Sequence, residues 1–263
     1  MKRHYWLLVR YFAQYAKVRL AYKADFIIAF LSSMAATVLG FGFVLVLFSK
    51  IPRLQDWSFN EVMFLYGFSL IPLGFFNVVS WNLYDFSELY IIEGRFDRVL
   101  LRPISTLFQV VFEKFRLESL QEVVTGTLVV AICIHRLHLT LKSVDYLWFV
   151  VMIICGSAIY LAVFLILTAV SFWFEDRVGI VPPVFNMLNF GRYPLTIYNV
   201  FIQFLLSWII PFGFATFYPT THFLGRTAFT LYFHLVPVVA IGFSALAIVV
   251  WNRGAANYSS TGT

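Results

Sequence analysis

The sequence predicts an all-helical protein that crosses a lipid bilayer six times. Only 12% of its 263 residues are charged and 61% are apolar, whereas a soluble domain carries roughly 25% charged residues. The apolar residues form uncharged stretches of about 20 residues or more, the length that a helix needs to cross the hydrocarbon. This hydrophobicity excludes intrinsic disorder, and two cysteines are too few for a small disulfide-stabilised scaffold.

Six spans are expected within a membrane domain at residues 26–251. Uncharged stretches that predict one crossing each lie at 26–48, 62–83, 146–174 and 229–251. A weaker stretch at 117–134 has Glu118 and Glu122 in its first turns. The remaining span falls in a long apolar region that prolines and glycines interrupt.

The interrupted region allows two interpretations. In one, residues 195–217 form a single fifth span. In the other, a short span at 179–190 precedes a re-entrant pair of half-helices at 193–221, which is hinged near Pro211. Broken backbone at membrane depth requires cover from protein or a water-filled cavity.

Basic residues predict the orientation of the chain. Most of the 19 lysines and arginines precede the first span or lie between the second and third spans. Cytoplasmic loops carry such an excess, so both termini are expected in the cytoplasm. Residues 1–25 are expected to form an amphipathic helix in the interface, and residues 252–263 a cytoplasmic tail. The net charge of +6 thus indicates topology, and no nucleic-acid partner is expected.

Motifs for chemistry on this chain are absent from the sequence. A P-loop needs glycines before a Lys-Ser or Lys-Thr pair, and Lys142, the only lysine followed by Ser or Thr, follows Leu141. His135 and His138 have helical spacing, but Arg136 between them disfavours a metal cation. We therefore expect no enzymatic activity and no metal or cofactor bound by this chain.

The loop at 91–104 combines both charge signs with a short apolar core. Gly94 and Pro103 delimit about two helical turns, with the apolar run 99–101 inside them. From the residues alone, a helix that docks on a partner and an ordinary interfacial loop are equally favoured. If it docks, apolar side chains would seat it and charges would fix its register. The residues concerned are Glu93, Gly94, Arg95, Asp97, Arg98, Leu100, Leu101, Arg102 and Pro103.

This loop and a second block resemble a known family. Gly94 to Pro103 fits the pattern GxxDxxLLRP of ABC-2 type exporter permeases. Residues 192–198, 209–212 and 217–219 are similar to the RYPLxIY, IIPF and YYP segments of the viologen-exporter-type branch, in which two permeases work together. One departure is Asn199, where the branch pattern has a second proline.

The resemblance implies a coupling helix at 93–103 and a re-entrant hairpin on the outer face before the sixth span. It therefore favours the broken interpretation of the fifth region. It further implies two separate ATPase subunits, which hold ATP and magnesium, a second permease that is a copy or a relative, and the bacterial inner membrane as location. Hairpin residues implied in this way are Tyr193, Pro194, Tyr198, Pro211 and Pro219.

An exporter permease needs a substrate path, and the polar residues of the spans are the candidates for its walls. They are Ser69, Asn77, Ser80, Asn82, Glu118 and Glu122. The two glutamates lie one turn apart, which suits either a solvated helix start or the negative mouth of a cation path. We expect an amphipathic or cationic drug-like cargo or a lipid-linked molecule, and ATPase movement that shifts the second and third spans.

Two other classes of function stay open from the sequence. A membrane scaffold would move nothing and would tolerate changes in the loop at 91–104. A secondary transporter driven by ions would need ionisable groups at membrane depth, and His234 is the one candidate near a span centre.

Overall fold

The structure is a computed structural model that describes residues 23–174 and 181–259. The expected amphipathic helix at 1–25 lies almost wholly outside the described residues. The α-helices, in chain order, are α1 Lys23–Lys50, α2 Phe59–Tyr84, α3 Phe96–Leu100, α4 Thr106–Phe112, α5 Leu120–Arg136, α6 Ser143–Ala169, α7 Val181–Met187, α8 Val200–Phe204, α9 Phe212–Ala215, α10 Phe217–Phe223 and α11 Thr230–Asn257. Turns of π-helix occur at Ser87–Ile92 and Leu205–Ile209, and turns of 3₁₀-helix at Leu117–Ser119, Val170–Phe172, Leu188–Arg192, Leu195–Ile197 and Thr227–Phe229.

The predicted fold class is confirmed. Five described helices are long and apolar enough to cross a membrane, at Lys23–Lys50, Phe59–Ser80, Leu117–Arg136, Ser143–Phe172 and Thr227–Asn257. A sixth candidate is a bent pair, in which Val200–Ile209 meets Phe212–Phe223 at 72°.

The fifth region agrees with the broken interpretation in having a bent helix pair beside Pro211, and it differs from that interpretation in the segment 179–190. Residues 195–217 do not form one straight helix, because the chain bends beside Pro211. The part of 179–190 that the structure describes begins with α7, which is 7 residues long and continues into a 3₁₀ turn of 5 residues. These rise about 10 Å each, too little for a hydrocarbon core about 30 Å thick.

Two helix ends show why the boundaries lie where they do. α2 begins after Ser58, whose hydroxyl accepts a hydrogen bond from the Glu61 N–H at 3.4 Å while the Glu61 carboxylate accepts one from the Ser58 N–H at 2.8 Å. This reciprocal cap satisfies amide groups that a helix start leaves free. α11 continues to Asn257, so the first part of the expected tail at 252–263 is helical.

The most enclosed helix of the described chain is α2, which packs mainly against α5 and α6, while α11 packs against α6. Small residues allow the contact with α5: a Cβ atom on Gly126 would lie 2.5 Å from the carbonyl oxygen of Gly67. α1 is largely exposed and buries Ser33, Thr37 and Val44. The polar side chains on that strip meet the cavity described below.

Candidate functional site

The predicted coupling helix is shorter than expected. After the π turn, the chain reverses at Gly94, whose φ of +68° is a left-handed conformation that glycine adopts without strain. The helix that follows, α3, has five residues in place of the two turns expected up to Pro103.

The segment is anchored by an aromatic residue that the sequence analysis did not single out. Phe96 is fully buried, and its ring lies 4.9 Å from those of Phe172 and Tyr258, 6.1 Å from Phe86 and 6.3 Å from Trp251. We call these five side chains the aromatic cluster. It attaches α3 to the ends of α2, α6 and α11. The helical spacing of two apolar residues, 96 and 99, was the available signal.

The apolar run at 99–101 is divided between the inside and the outside. Val99 is buried, and its carbonyl oxygen accepts a hydrogen bond from Gln109 at 3.1 Å, so the interpretation of Val99 as a docking side chain is wrong. Leu100 and Leu101 are 47% and 84% exposed. With the exposed Arg98 and Arg102 they form what we call the coupling surface.

Polar contacts fix the surroundings of α3. Arg95 and Glu93 form an ion pair at 2.7 Å, and Tyr90 donates a hydrogen bond to Glu113. Burial, together with the Glu113 carboxylate, raises the pKa of Tyr90 far above its usual value. Burial, with the Asp97 carboxylate nearby, raises the pKa of Tyr258 to about 12. Both phenols therefore stay neutral at physiological pH.

A polar cavity of about 280 Å³ lies between α1, α2, α5 and the segment that begins with α7. Inside it, the Glu122 carboxylate accepts a hydrogen bond from Asn77 at 2.8 Å. The Arg192 guanidinium donates one to the Tyr66 hydroxyl at 3.1 Å. The lining comprises Ser32, Ser33, Ala36, Thr37, Leu73, Asn77, Arg116, Glu122, Phe185, Asn186, Leu188, Asn189 and Arg192.

A second cavity of about 370 Å³ adjoins the first, since Asn77, Arg116, Phe185 and Asn186 line both. Its other walls are mainly aromatic or aliphatic, and we call it the aromatic cavity. These walls are Phe76, Ser80, Leu83, Tyr84, Phe164 and Val181.

Three of the six predicted path residues line these two cavities, namely Asn77, Ser80 and Glu122. The others face elsewhere: the Ser69 hydroxyl donates to the Tyr66 carbonyl oxygen at 2.7 Å, and the Asn82 amide donates to that of Val110 at 2.8 Å.

The glutamates do not form a solvated helix start. Glu118 is only 1% exposed, and Glu122 is engaged by Asn77 within the polar cavity. Nor is the cavity a purely negative mouth, because Arg116 and Arg192 share its wall. Sequence reasoning did not single out Arg192 as a wall of the path, although it is the only charged residue in the apolar region 178–217, which was the signal for it.

The predicted hairpin residues surround the bent pair. The Tyr193 ring packs 6.5 Å from that of Tyr66, and the Tyr198 hydroxyl donates to the Phe190 carbonyl oxygen at 3.2 Å. Pro194 and Pro211 directly precede a 3₁₀ turn and α9, and Pro219 is buried in α10.

Asn199, the departure from the branch pattern, has a local role. Its side-chain oxygen accepts a hydrogen bond from the Ile202 N–H at 2.9 Å and caps α8. The two arms of the bent pair are joined by a hydrogen bond of 2.7 Å between the hydroxyls of Ser207 and Tyr218.

At the end of the protein where α2 begins, Arg226 contacts three groups. Its guanidinium carbon lies 3.8 Å from the centre of the Trp57 ring, and one nitrogen donates to Glu61 at 2.8 Å and to the Asp56 carbonyl oxygen at 2.9 Å. The Trp57 indole in turn donates to Thr196 at 3.0 Å. We call this arrangement the Arg226 clamp, and it ties the bent-pair region to the start of α2.

Comparison with known proteins agrees with this arrangement. The family model described as ABC-2 family transporter protein matches residues 31–262. No curated protein and no solved structure matches the chain. The matched residues include α3, both cavities and the bent pair, and they make up most of the sequence, so the chain belongs to the ABC-2 family of transporter proteins.

Proposed function

We propose that this ABC-2 membrane component is an exporter permease whose coupling surface receives the movement of two ABC ATPase subunits. Membership of the family makes the chain a non-catalytic transmembrane subunit and implies ABC ATPase partners. The observation that carries the finer proposal is the outward position of Leu100 and Leu101, at the end of a helix whose other face is buried. Exposed leucines flanked by guanidinium groups are suited to bind in a groove on a partner protein.

The route of coupling in this proposal extends the expectation that the second and third spans move. Phe96 packs against Phe172 and Trp251, which lie at the ends of α6 and α11. A push on the coupling surface would therefore act on those helices as well as on α2. We propose that this movement reshapes the two cavities.

The remaining parts of the proposal concern assembly and orientation. A second permease, a copy or a relative as in the viologen-exporter-type branch, completes the path, and the exporter acts in the bacterial inner membrane. Both termini face the cytoplasm, and the bent pair returns to the outer face as a re-entrant hairpin. The cargo is an amphipathic compound, drug-like or lipid-linked, because the polar and aromatic cavities adjoin.

The test uses the complex purified from native membranes with its ATPase. Replacement of Leu100 and Leu101 by Asp should reduce co-purified ATPase and vanadate-sensitive ATP hydrolysis at least about tenfold, because buried interface leucines carry roughly 1.5–3 kcal/mol each. The matched control replaces the same leucines by Met, which keeps the apolar volume. Size-exclusion chromatography verifies folding of both. Unchanged ATPase binding and hydrolysis in the Asp variant would refute the assignment.

The same experiment separates the other two classes. A scaffold predicts no hydrolysing partner and a tolerant loop. An ion-driven transporter predicts transport that vanadate does not inhibit. The residue favoured for that class, His234, is exposed in the second turn of α11 beside Trp148, so the expectation of a histidine near a span centre is wrong.

A further inference from the structure

The polar cavity contains more positive than negative charge. Arg116 and Arg192 line it with one carboxylate, that of Glu122. Glu122 is already held by the Asn77 amide. Neutral hydrogen-bonding side chains, including Ser32, also line the polar cavity. A cation in this cavity would be repelled by the two guanidinium groups.

Arg192 is the group that most requires a partner. Its guanidinium donates to the Tyr66 hydroxyl and lies 5.4 Å from the centre of that ring. Its buried Nε has no hydrogen-bond partner among the described residues. Glu122 attracts the guanidinium across the cavity that both residues line, but the described residues show no close ion pair between the two. Arginine inside a membrane protein is costly unless it is paired or solvated in a cavity. Its planar fork matches the oxygens of a carboxylate or phosphate.

We infer that the polar cavity recognises the anionic headgroup of an amphiphile, a phosphate or a carboxylate, whose apolar part occupies the aromatic cavity. The inference rests on the proposed function for its role in transport, but not for binding itself. Four shared residues connect the two cavities, and volumes near 280 and 370 Å³ fit a small polar group with an adjoining chain. Of the expected cargoes, this selects the anionic amphiphiles over the cations.

Two probes with the same chain test the sign of the recognised charge. Dodecyl phosphate and dodecyltrimethylammonium, each with a diazirine on the chain, are added without ATP to the full-length permease complex in nanodiscs. Cross-linked peptides are mapped by mass spectrometry. The phosphate probe should label peptides from α2 and from the segment 181–192, and the ammonium probe should not.

Variants then assign the effect to the cavity charges. Arg192→Gln should reduce labelling by the phosphate probe about tenfold, the effect of losing one hydrogen bond to a charged group, and Arg192→Lys should retain part of it. Tyr66→Phe removes the phenol partner and keeps the charge, so its labelling should stay near that of the native protein. Glu122→Gln should increase labelling by the phosphate probe, and a misfolded variant would not give this result. Equal labelling by both probes, or no response to the Arg192→Gln and Glu122→Gln changes, overturns the inference.

A second arm identifies the source of the anion. If the amphiphile is cargo, ATP should deplete the label, and the Asp variant of the coupling surface should block that depletion. If it is a resident lipid, the label should persist with ATP. Both outcomes keep the anionic site. Because labelling is measured without ATP, failure of the proposed coupling leaves the binding result unaffected.

Discussion

Arg226 connects the segments that meet at the end of the protein where α2 begins. It stacks on Trp57 and donates to Glu61 and the Asp56 carbonyl oxygen. Arginine alone combines a planar stacking face with several donors in fixed geometry, and lysine would keep only the charge.

Replacement of Arg226 by Ala should lower the stability of the purified permease by about 1.5–3 kcal/mol, because a hydrogen bond to a charged group is lost and Glu61 keeps no counter-ion. The stability of the Arg226→Lys variant should lie between that of the native protein and that of the Arg226→Ala variant. Thermal unfolding in detergent measures this effect. Arg53→Ala is the control, since Arg53 is exposed in the loop that contains Asp56 and Trp57. A loss of stability as large for Arg53→Ala would contradict a specific role for the clamp.

Phe96 gives a second test at this scale. Phe96→Ala removes the centre of the aromatic cluster and should cost about 3–5 kcal/mol, the usual effect of deleting a buried phenylalanine. In this variant, ATP hydrolysis should no longer respond to changes in the coupling surface. The control is Phe201→Ala, because Phe201 is 70% exposed. Thermal unfolding in detergent measures the loss of stability, and an unchanged melting temperature would argue against the anchor.

Single residues mark the limit of what the sequence predicts. Charge and pattern located the loop that contains α3, but Val99 faces inward and Phe96 anchors the segment. Their helical spacing places both on one face of α3, but it does not show that this face is buried, because only the packed ends of α6 and α11 decide which side of a five-residue helix is buried. For Glu122 the sequence left a solvated helix start and a negative mouth open, and it did not single out Arg192, although both residues line the polar cavity. Their positions depend on the meeting of segments distant in sequence.

The packing of α2 on α5 is a tightly constrained contact between two elements. A methyl group on Gly126 would meet backbone, the carbonyl oxygen of Gly67 at 2.5 Å, and backbone does not move as a flexible side chain does. The helix pair would therefore have to separate to accept it.

Gly126→Ala should destabilise the protein by about 1–3 kcal/mol, as overpacking of a close contact does. Gly242→Ala is the matched control, because a Cβ at Gly242 has no neighbour within 4 Å, and alanine is the better helix former. Its melting temperature should stay level or rise. If both variants melt alike, α2 and α5 do not approach as closely as described.

The long, regular helices could be predicted from the sequence, and the short, irregular helices could not. Four of the five long helices follow from uncharged stretches of sufficient length, and the other follows from the weaker stretch that contains Glu118 and Glu122. The bend beside Pro211 follows from proline chemistry, since proline lacks the amide that a helix interior uses. The short helices α7 to α10 do not follow, because tertiary contacts hold them: Thr216, for example, donates to the Gly191 carbonyl oxygen at 2.7 Å.

The topology of the whole molecule is testable with two cysteines. In a chain lacking Cys133 and Cys155, Leu101→Cys should react with a membrane-impermeant maleimide only when the cytoplasmic side is exposed, since the coupling surface is proposed to face the ATPases. Arg53→Cys, at the other end of α2, should react in intact spheroplasts. Both positions are exposed in the structure. Labelling of both cysteines from the same side would contradict the orientation inferred from basic residues.

One helix connects the two ends of the protein. α11 has 28 residues and is about 42 Å long. Trp251 near its end belongs to the aromatic cluster, while Tyr232 near its start stacks 4.6 Å from Tyr218 of the bent pair. In the proposed mechanism, a tilt imposed at the end that contains Trp251 would be transmitted along this one helix to the end that contains Tyr232. The proposed signal of nucleotide binding would then not have to cross the two cavities in order to open them.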